Sequence, residues 1–378
     1  MLTAATAHLD PPLVALDLPA LRANAADLVG RAASTPVRVA SKSVRCRHVL
    51  ELALTTPGFA GVMAYSLREA LWLVRHGMRD VLVGYPSVDR AALSLLSRDA
   101  AAIGAITLMV DDIAQLELAR EFGNAAPLRV CLDVDASLRI ARLHLGVRRS
   151  PLRTPADVAL LAGEAIALGF RVVGVMFYEA QIAGLPDSSA AVRLVKRRSA
   201  AELLSRRSAV VRAVTAVAGR LEIVNSGGTG SLEVSAADPS VTEVTAGSGL
   251  YAPGLFDDYR AFVARPAMFF ALPVTRRPAK DIRTLFGGGY IASGPASRVR
   301  LPSPVGRGLK LIGAEGAGEV QTPVRGPGAA GLAVGDRVWF RHAKAGELCE
   351  RFPTVHLLEN GTVVDSVPTY RGEGVSFG

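Results

Sequence analysis

From residue 13 to about residue 265 the chain alternates short β-branched runs with longer Ala/Leu-rich stretches whose apolar positions recur at helical spacing. The runs are VRVA (37–40), GVM (61–63), VLVG (81–84), ITLMV (106–110), RVCLDV (129–134), RVVGVMF (171–177), LEIVN (221–225) and EVTA (243–246). Short, mostly apolar runs alternating with amphipathic stretches are the pattern of a parallel sheet with covering helices. SLREALWLVRHG (66–77) is typical of the stretches between them, with Ser66 as N-cap and Glu69 completing a capping box. Eight strands, each followed by a helix, predict an α/β fold, the (β/α)8 TIM barrel; an open doubly wound sheet is the alternative.

Past about residue 265 the helical period disappears. MFFALPVTRRP (268–278), RTLFGGG (283–289), LKLIGA (309–314), GEVQTPV (318–324), DRVWFRH (336–342) and TVHLLENGTVVDSV (354–367) read as strands, the last folded at an Asn-Gly hairpin turn. This predicts a smaller antiparallel β domain. The expected organisation is an N-terminal strand over 1–18 that joins the β domain, a barrel over 19–265 and the β domain over 266–378.

A chain of 378 residues, 50% apolar, is long enough for one large core and a second, smaller one. Cys46, Cys131 and Cys349 show no paired spacing, which argues against a disulfide framework or a structural zinc site. MLTAATAHLDPP lacks the pattern of a signal peptide, and no apolar run reaches the ~20 residues of a membrane helix. The expectation is a cytoplasmic protein without a membrane partner. The net charge of +9 is scattered, and its densest block, VKRRSAAELLSRRSAVV (195–211), carries apolar residues at helical spacing. That block reads as a solvated helix face; without an aromatic platform, nucleic acid is set aside as a partner. The positive balance favours small anions such as phosphates and carboxylates.

Barrel active sites lie at the C-terminal strand ends, with phosphate held by the loops after strands seven and eight. Here those loops are NSGGTGSLE (225–233) and AGSGLYAPG (246–254). Their glycines let backbone N–H groups converge on an anion, and Thr229, Ser231 and Ser248 add hydroxyls. Neither a P-loop nor a dinucleotide fingerprint is present. Lys42 follows strand one, on the same rim. An amine beside a phosphate cradle suits pyridoxal 5′-phosphate, which forms a Schiff base with lysine and acts as an electron sink.

The chain resembles the fold-type III pyridoxal-phosphate enzymes, an alanine-racemase-like barrel followed by a β domain, and within them the D-threonine aldolase and D-serine dehydratase branch, including proteins called amino acid deaminase/aldolase. The resemblance covers nearly the whole chain. It rests on LDLPALRANAADL (16–28), the lysine after strand one, VCLDVDASLR (130–139), GVMFYEAQ (174–181), GGTGSLE (227–233), GSGLY (247–251) and VGDRVWF (334–340). It implies that Lys42 tethers the cofactor, that Gly228, Thr229 and Gly230 with Ser248 and Gly249 hold its phosphate, and that Tyr178 and Tyr251 line it. It also implies a homodimer.

Three positions depart from the pattern. The family's His-x-Cys or His-x-Asp metal pair is Glu347-x-Cys349, which retains two donors for a divalent metal such as zinc or manganese; a buried cysteine beside a surface carboxylate is the alternative. His144 stands where the family has arginine, and Glu179 replaces the histidine after Tyr178. The expected function is a lyase acting on D-3-hydroxy amino acids, with Lys42 or Tyr178 moving protons. A racemase using Lys42 on one face and Tyr290 on the other is the second reading. A cofactor carrier without catalysis is the third.

Overall fold

The eight β-branched runs form the staves of one cylinder. In the computed structural model, which describes residues 2–122, 127–306 and 308–378, a closed barrel of eight parallel strands is built from Val37–Ala40, Phe59–Ala64, Val81–Val83, Ile106–Val110, Arg129–Val134, Arg171–Phe177, Ile223–Ser226 and Glu243–Ala246. Closure comes from the eighth strand pairing with the first, Val244 opposite Val37 and Ala246 opposite Val39. The TIM barrel reading holds, and the open sheet is excluded.

Side chains alternate across these staves. Val37 and Val39 face the helical layer and are fully buried, each burial stabilising the fold by about 1.5–3 kcal/mol. Inside, Leu82, Met109, Cys131, Val173, Met176 and Ile223 make an apolar layer. The N-terminal end of the barrel is closed by charge: Arg38 is 2% exposed and forks onto Asp80 at 2.9 and 3.0 Å and onto Glu243 at 2.7 and 2.6 Å. With that end plugged, ligand access falls to the C-terminal rim.

Several helices begin as their sequence dictates. Leu18–Arg31 is capped by Asp17 with proline in its first turn, and Pro155–Ala167 by a Thr154/Asp157 capping box. Leu67–Arg75 departs from expectation. Ser66 accepts from the Glu69 N–H, but the Glu69 carboxylate turns to the Tyr65 N–H and the Tyr370 hydroxyl, so only half the capping box forms. The basic block lies on Ala190–Ala218, where Arg207 points inward to Asp238 and the Ser226 hydroxyl. No described helix is long and apolar enough to cross a membrane.

The late strands form a second, mainly antiparallel sheet. Leu13–Asp17 runs through its middle, antiparallel to Met268–Ala279 and parallel to Thr354–Glu359. Thr354–Glu359 and Thr362–Pro368 form the Asn-Gly hairpin, with Asn360 and Gly361 at φ of 52° and 78°, the left-handed pair that a tight hairpin turn needs. The three cysteines are buried and unpaired.

Candidate active site

Lys42 sits in a single 3₁₀ turn, Ser41–Ser43, directly after the first barrel strand. The Ser41 hydroxyl donates to the Met63 carbonyl on the neighbouring strand, and Tyr251 donates to the Val44 carbonyl at 3.0 Å, so the turn is pinned on both sides. The Lys42 ammonium meets the hydroxyl of Tyr85, which follows the third strand. Arg149, from the loop after the fifth strand, spans the faces of Tyr85 and Tyr178 at 5.6 and 5.1 Å from their centroids. Beside it, Asp133 is buried at the end of the fifth strand.

Charge and burial set the electrostatics. Burial and nearby Asp111 push the Asp133 carboxyl up to about 7, against the pull of Arg149. Burial also raises the Tyr178 hydroxyl, opposed by Lys42 and Arg149. Tyr85 goes the other way: burial would raise it, but Lys42 and Arg149 outweigh that and hold its hydroxyl below the ordinary 10.

The two glycine loops meet on the rim beside Lys42, where a Cβ on Gly247 would lie 2.5 Å from the Ala40 carbonyl oxygen. The Thr229 and Ser248 hydroxyls lie 3.2 Å apart, and the Gly249 N–H donates to Thr229 Oγ1 at 3.0 Å. Among the described residues, the N–H groups of Thr229 and Gly230 have no protein acceptor. A Cβ on Gly230 would lie 2.2 Å from the Ala183 carbonyl, and one on Gly249 would meet Thr229 and Leu28 at 2.8 Å, so only glycine lets the loops pack this closely. Beneath them Glu179 is fully buried. It accepts from Ser226 Oγ at 2.9 Å, Gly227 N at 3.2 Å, Ser231 Oγ at 2.9 Å and Ser235 Oγ at 2.5 Å, tying the seventh-strand loop to the sixth strand.

The segment 342–351 of the second sheet closes over the rim. Gly346 passes so near that a Cβ on it would lie 2.0 Å from the Lys42 carbonyl oxygen. A cavity of about 250 Å³ opens there, lined by Arg45, Tyr290, His342, Lys344, Glu347 and Arg351 among others. The Tyr290 ring packs on Phe270 and Phe352, with centroids at 5.2 and 5.6 Å. Burial raises its hydroxyl, opposed by Arg351.

Comparison with known proteins places this geometry. The chain is 28% identical over 289 residues to a D-threonine aldolase from Arthrobacter sp., covering 73% of this chain and 70% of that one. It superposes on the D-threonine aldolase of Filomicrobium marinum with a TM-score of 0.81 at 21% identity, covering 97% and 96% of the two chains. The chain is thus similar in sequence to a D-threonine aldolase and has the fold that solved D-threonine aldolase and D-threo-3-hydroxyaspartate dehydratase structures share. A D-threo-3-hydroxyaspartate dehydratase from Delftia sp. HT23 shares the fold with a TM-score of 0.75 at 19% identity, covering 96% and 97%. No family model matches the chain.

Pyridoxal phosphate is implied by the resemblance to D-threonine aldolase, and the rim fits it: an amine at Lys42, N–H donors at Thr229 and Gly230 without an acceptor among the described residues, and a cradle that a Cβ would fill. Gly228, Thr229, Gly230, Ser248 and Gly249 come together as one cup, with Tyr178 at its edge. Tyr251 does not line that cup. It is fully buried behind the Lys42 turn, its hydroxyl bonded to Val44, and it supports the site from behind.

The metal pair is not assembled. Cys349 is 1% exposed and turned into the core against Tyr251, where burial pushes its thiol well above the ordinary range. Glu347 is turned to the Ser293 N–H at 3.1 Å. Among the described residues no group of three or more His, Cys, Asp or Glu side chains is placed to hold a metal. His144 is also displaced from the rim's chemistry, its Nε2 lying 3.1 Å from the Val147 carbonyl, while Arg149 supplies the guanidinium. Sequence reasoning missed Tyr85, Arg149 and Lys344. Tyr85 had a signal, since it stands just beyond a barrel strand; the other two lie on loops whose paths no periodicity encodes.

Proposed function

We propose that this chain is a pyridoxal-phosphate-dependent lyase acting on D-3-hydroxy amino acids, of the D-threonine aldolase or D-serine dehydratase type. The observation that carries the reading is the Lys42–Tyr85 pair on one rim with the two glycine loops. Bound cofactor supplies an electron sink that weakens the bonds to the α-carbon of an amino acid.

The chain's own residues do the rest. Lys42 is the tether and, once released by substrate, an amine free to take or return a proton at the α-carbon. Tyr85 hands protons to and from Lys42 Nζ, and Lys42 and Arg149, outweighing burial, hold its hydroxyl below the ordinary range, which makes it the readier proton donor. The 227–231 and 247–249 loops hold the phosphate with backbone N–H groups and the Thr229 and Ser248 hydroxyls. Tyr178 and Arg149 form one wall, and the 342–351 segment narrows the mouth and limits water. No divalent cation enters this reading, because Cys349 faces the core and Glu347 faces Ser293.

A racemase is the second reading, favoured by Tyr290 lining the cavity above Lys42. Its ring is clamped by Phe270 and Phe352, which leaves it little freedom to follow a proton. The test is a visible absorbance scan of the cofactor-loaded protein with D-threonine, D-serine and D-alanine. Aldehyde or keto acid is expected from the hydroxy amino acids, and loss of optical purity alone would make the protein a racemase. The visible band should vanish in Lys42→Ala. An unchanged spectrum in that variant would sink every reading that gives Lys42 a role.

A further inference from the structure

Ser293 holds two opposite charges side by side. Its N–H donates to the Glu347 carboxylate at 3.1 Å, and its hydroxyl accepts from the Lys344 ammonium. Both side chains line the 250 Å³ cavity over the Lys42 turn. A divalent cation drawn to Glu347 would therefore be repelled by the neighbouring Lys344 ammonium, with Arg45 and Arg351 lining the same walls. The other expected donor, Cys349, is in the core. In the same cavity wall His342 is 3% exposed, with neither ring nitrogen hydrogen-bonded among the described residues. A buried polar group left in that state costs about 1–3 kcal/mol, which a ligand oxygen or hydroxyl placed beside it would recover.

We propose that Lys344 is the residue that engages the oxygen on the substrate's β-carbon, an ammonium beside Glu347, one of the two residues to which the family resemblance assigns a divalent metal. Lys344 stands two residues before Gly346, whose backbone passes against the Lys42 carbonyl, so the cavity that Lys344 lines opens over the Lys42 turn and a substrate held at Lys42 can extend its β-substituent into it. Lys344 has three N–H donors, and Ser293 takes one of them. The others are available to a β-oxygen, whose lone pairs they would bind and whose developing charge they would offset. Glu347, bound to the N–H of the same Ser293, supplies a neighbouring opposite charge. This inference rests on the lyase reading above and narrows it to substrates with a β-oxygen, processed without added metal.

The experiment uses the cofactor-loaded full chain, with Lys344→Met and Lys344→Gln as paired variants. Three readouts are taken: metal content after dialysis against manganese or zinc, cleavage of a D-3-hydroxy amino acid with and without chelator, and Cα deuterium exchange of D-alanine, which has no β-oxygen. Metal content is expected to stay below about 0.1 per chain, with cleavage unchanged by chelator. Both variants are expected to lose roughly 100-fold in kcat/KM on the hydroxy substrate while D-alanine exchange stays within about threefold. Stoichiometric metal whose removal abolishes cleavage would overturn the proposal. So would variants that slow both reactions equally, or neither. A wild type that neither cleaves nor exchanges would overturn the lyase reading, and this inference with it.

Discussion

The Tyr85 hydroxyl lies directly against the Lys42 ammonium, and both groups sit immediately beyond barrel strands, the first and the third. Burial acts to raise Tyr85, and its net downward displacement is the work of Lys42 and Arg149. Removing the ammonium in Lys42→Ala should therefore let burial act with only Arg149 against it, and Tyr85 should titrate at higher pH than in the wild type. The measurement is an ultraviolet phenolate titration, with Tyr85→Phe subtracted to isolate the one hydroxyl. A Tyr85 that titrates identically in both proteins would remove the charge coupling. Tyr85→Phe itself should lower turnover by about 100-fold, the usual scale for a proton-transfer partner.

Glu179 should govern cofactor retention rather than chemistry. Its carboxylate accepts four hydrogen bonds that fasten the phosphate loop from below. In Glu179→Gln one acceptor oxygen becomes an N–H₂ group, and the Gly227 N–H or a serine hydroxyl loses its partner. Hydrogen bonds to a charged acceptor contribute about 1.5–3 kcal/mol each, so cofactor affinity should fall about tenfold or more. Equilibrium dialysis against pyridoxal phosphate reads this. At saturating cofactor kcat should stay near the wild-type value, and a fall in kcat without a fall in affinity would contradict the assignment.

Glu69 sets a pH dependence of stability. Burial raises its carboxyl from 4.5 to about 7, against hydrogen bonds from the Tyr65 N–H and the Tyr370 hydroxyl. The folded chain thus binds this proton more tightly than the unfolded chain. Its contribution is fully present below pH 4.5 and is lost as pH rises through about 7. The loss is on the order of 3 kcal/mol. Glu69→Gln removes the titration, so the stability difference between wild type and variant should drift against the wild type across that window. Urea unfolding at several pH values measures it, and a constant difference would refute it.

The fold was largely legible because its signals are local. Five of the eight strands, VRVA, ITLMV, RVCLDV, RVVGVMF and EVTA, occupy the residues their β-branched runs mark, since residues such as Val and Ile favour the pleated backbone and cluster where a strand is covered on both faces. The glycine loops were legible for the same reason. Only glycine permits Gly230 to lie against the Ala183 carbonyl, so the composition records the geometry.

What failed were the positions where side chains choose among distant partners. Glu69 was expected to cap its own helix, but Tyr370, near the far end of the sequence, competes for its carboxylate. Cys349 keeps a ligand's spacing, yet a short 3₁₀ turn, Glu347–Glu350, aims it at Tyr251 in the core. Arg149 takes the rim position where arginine was sought at His144, because the hairpin of Leu138–Ile140 and Leu143–Leu145 carries His144 away and returns the chain only afterwards. Spacing is preserved in each case; direction is not.

The strand Leu13–Asp17 has one neighbour in Met268–Ala279 and the other in Thr354–Glu359. On the ribosome this strand therefore waits with both edges bare while the whole barrel is synthesised after it, and both of its neighbours emerge only afterwards. The barrel can close first, but the sheet that roofs Lys42 is knitted from segments on both sides of it. A nascent protein cut short within the last strands would carry a finished cup without its cover, along with an unpaired apolar edge of the kind that chaperones recognise.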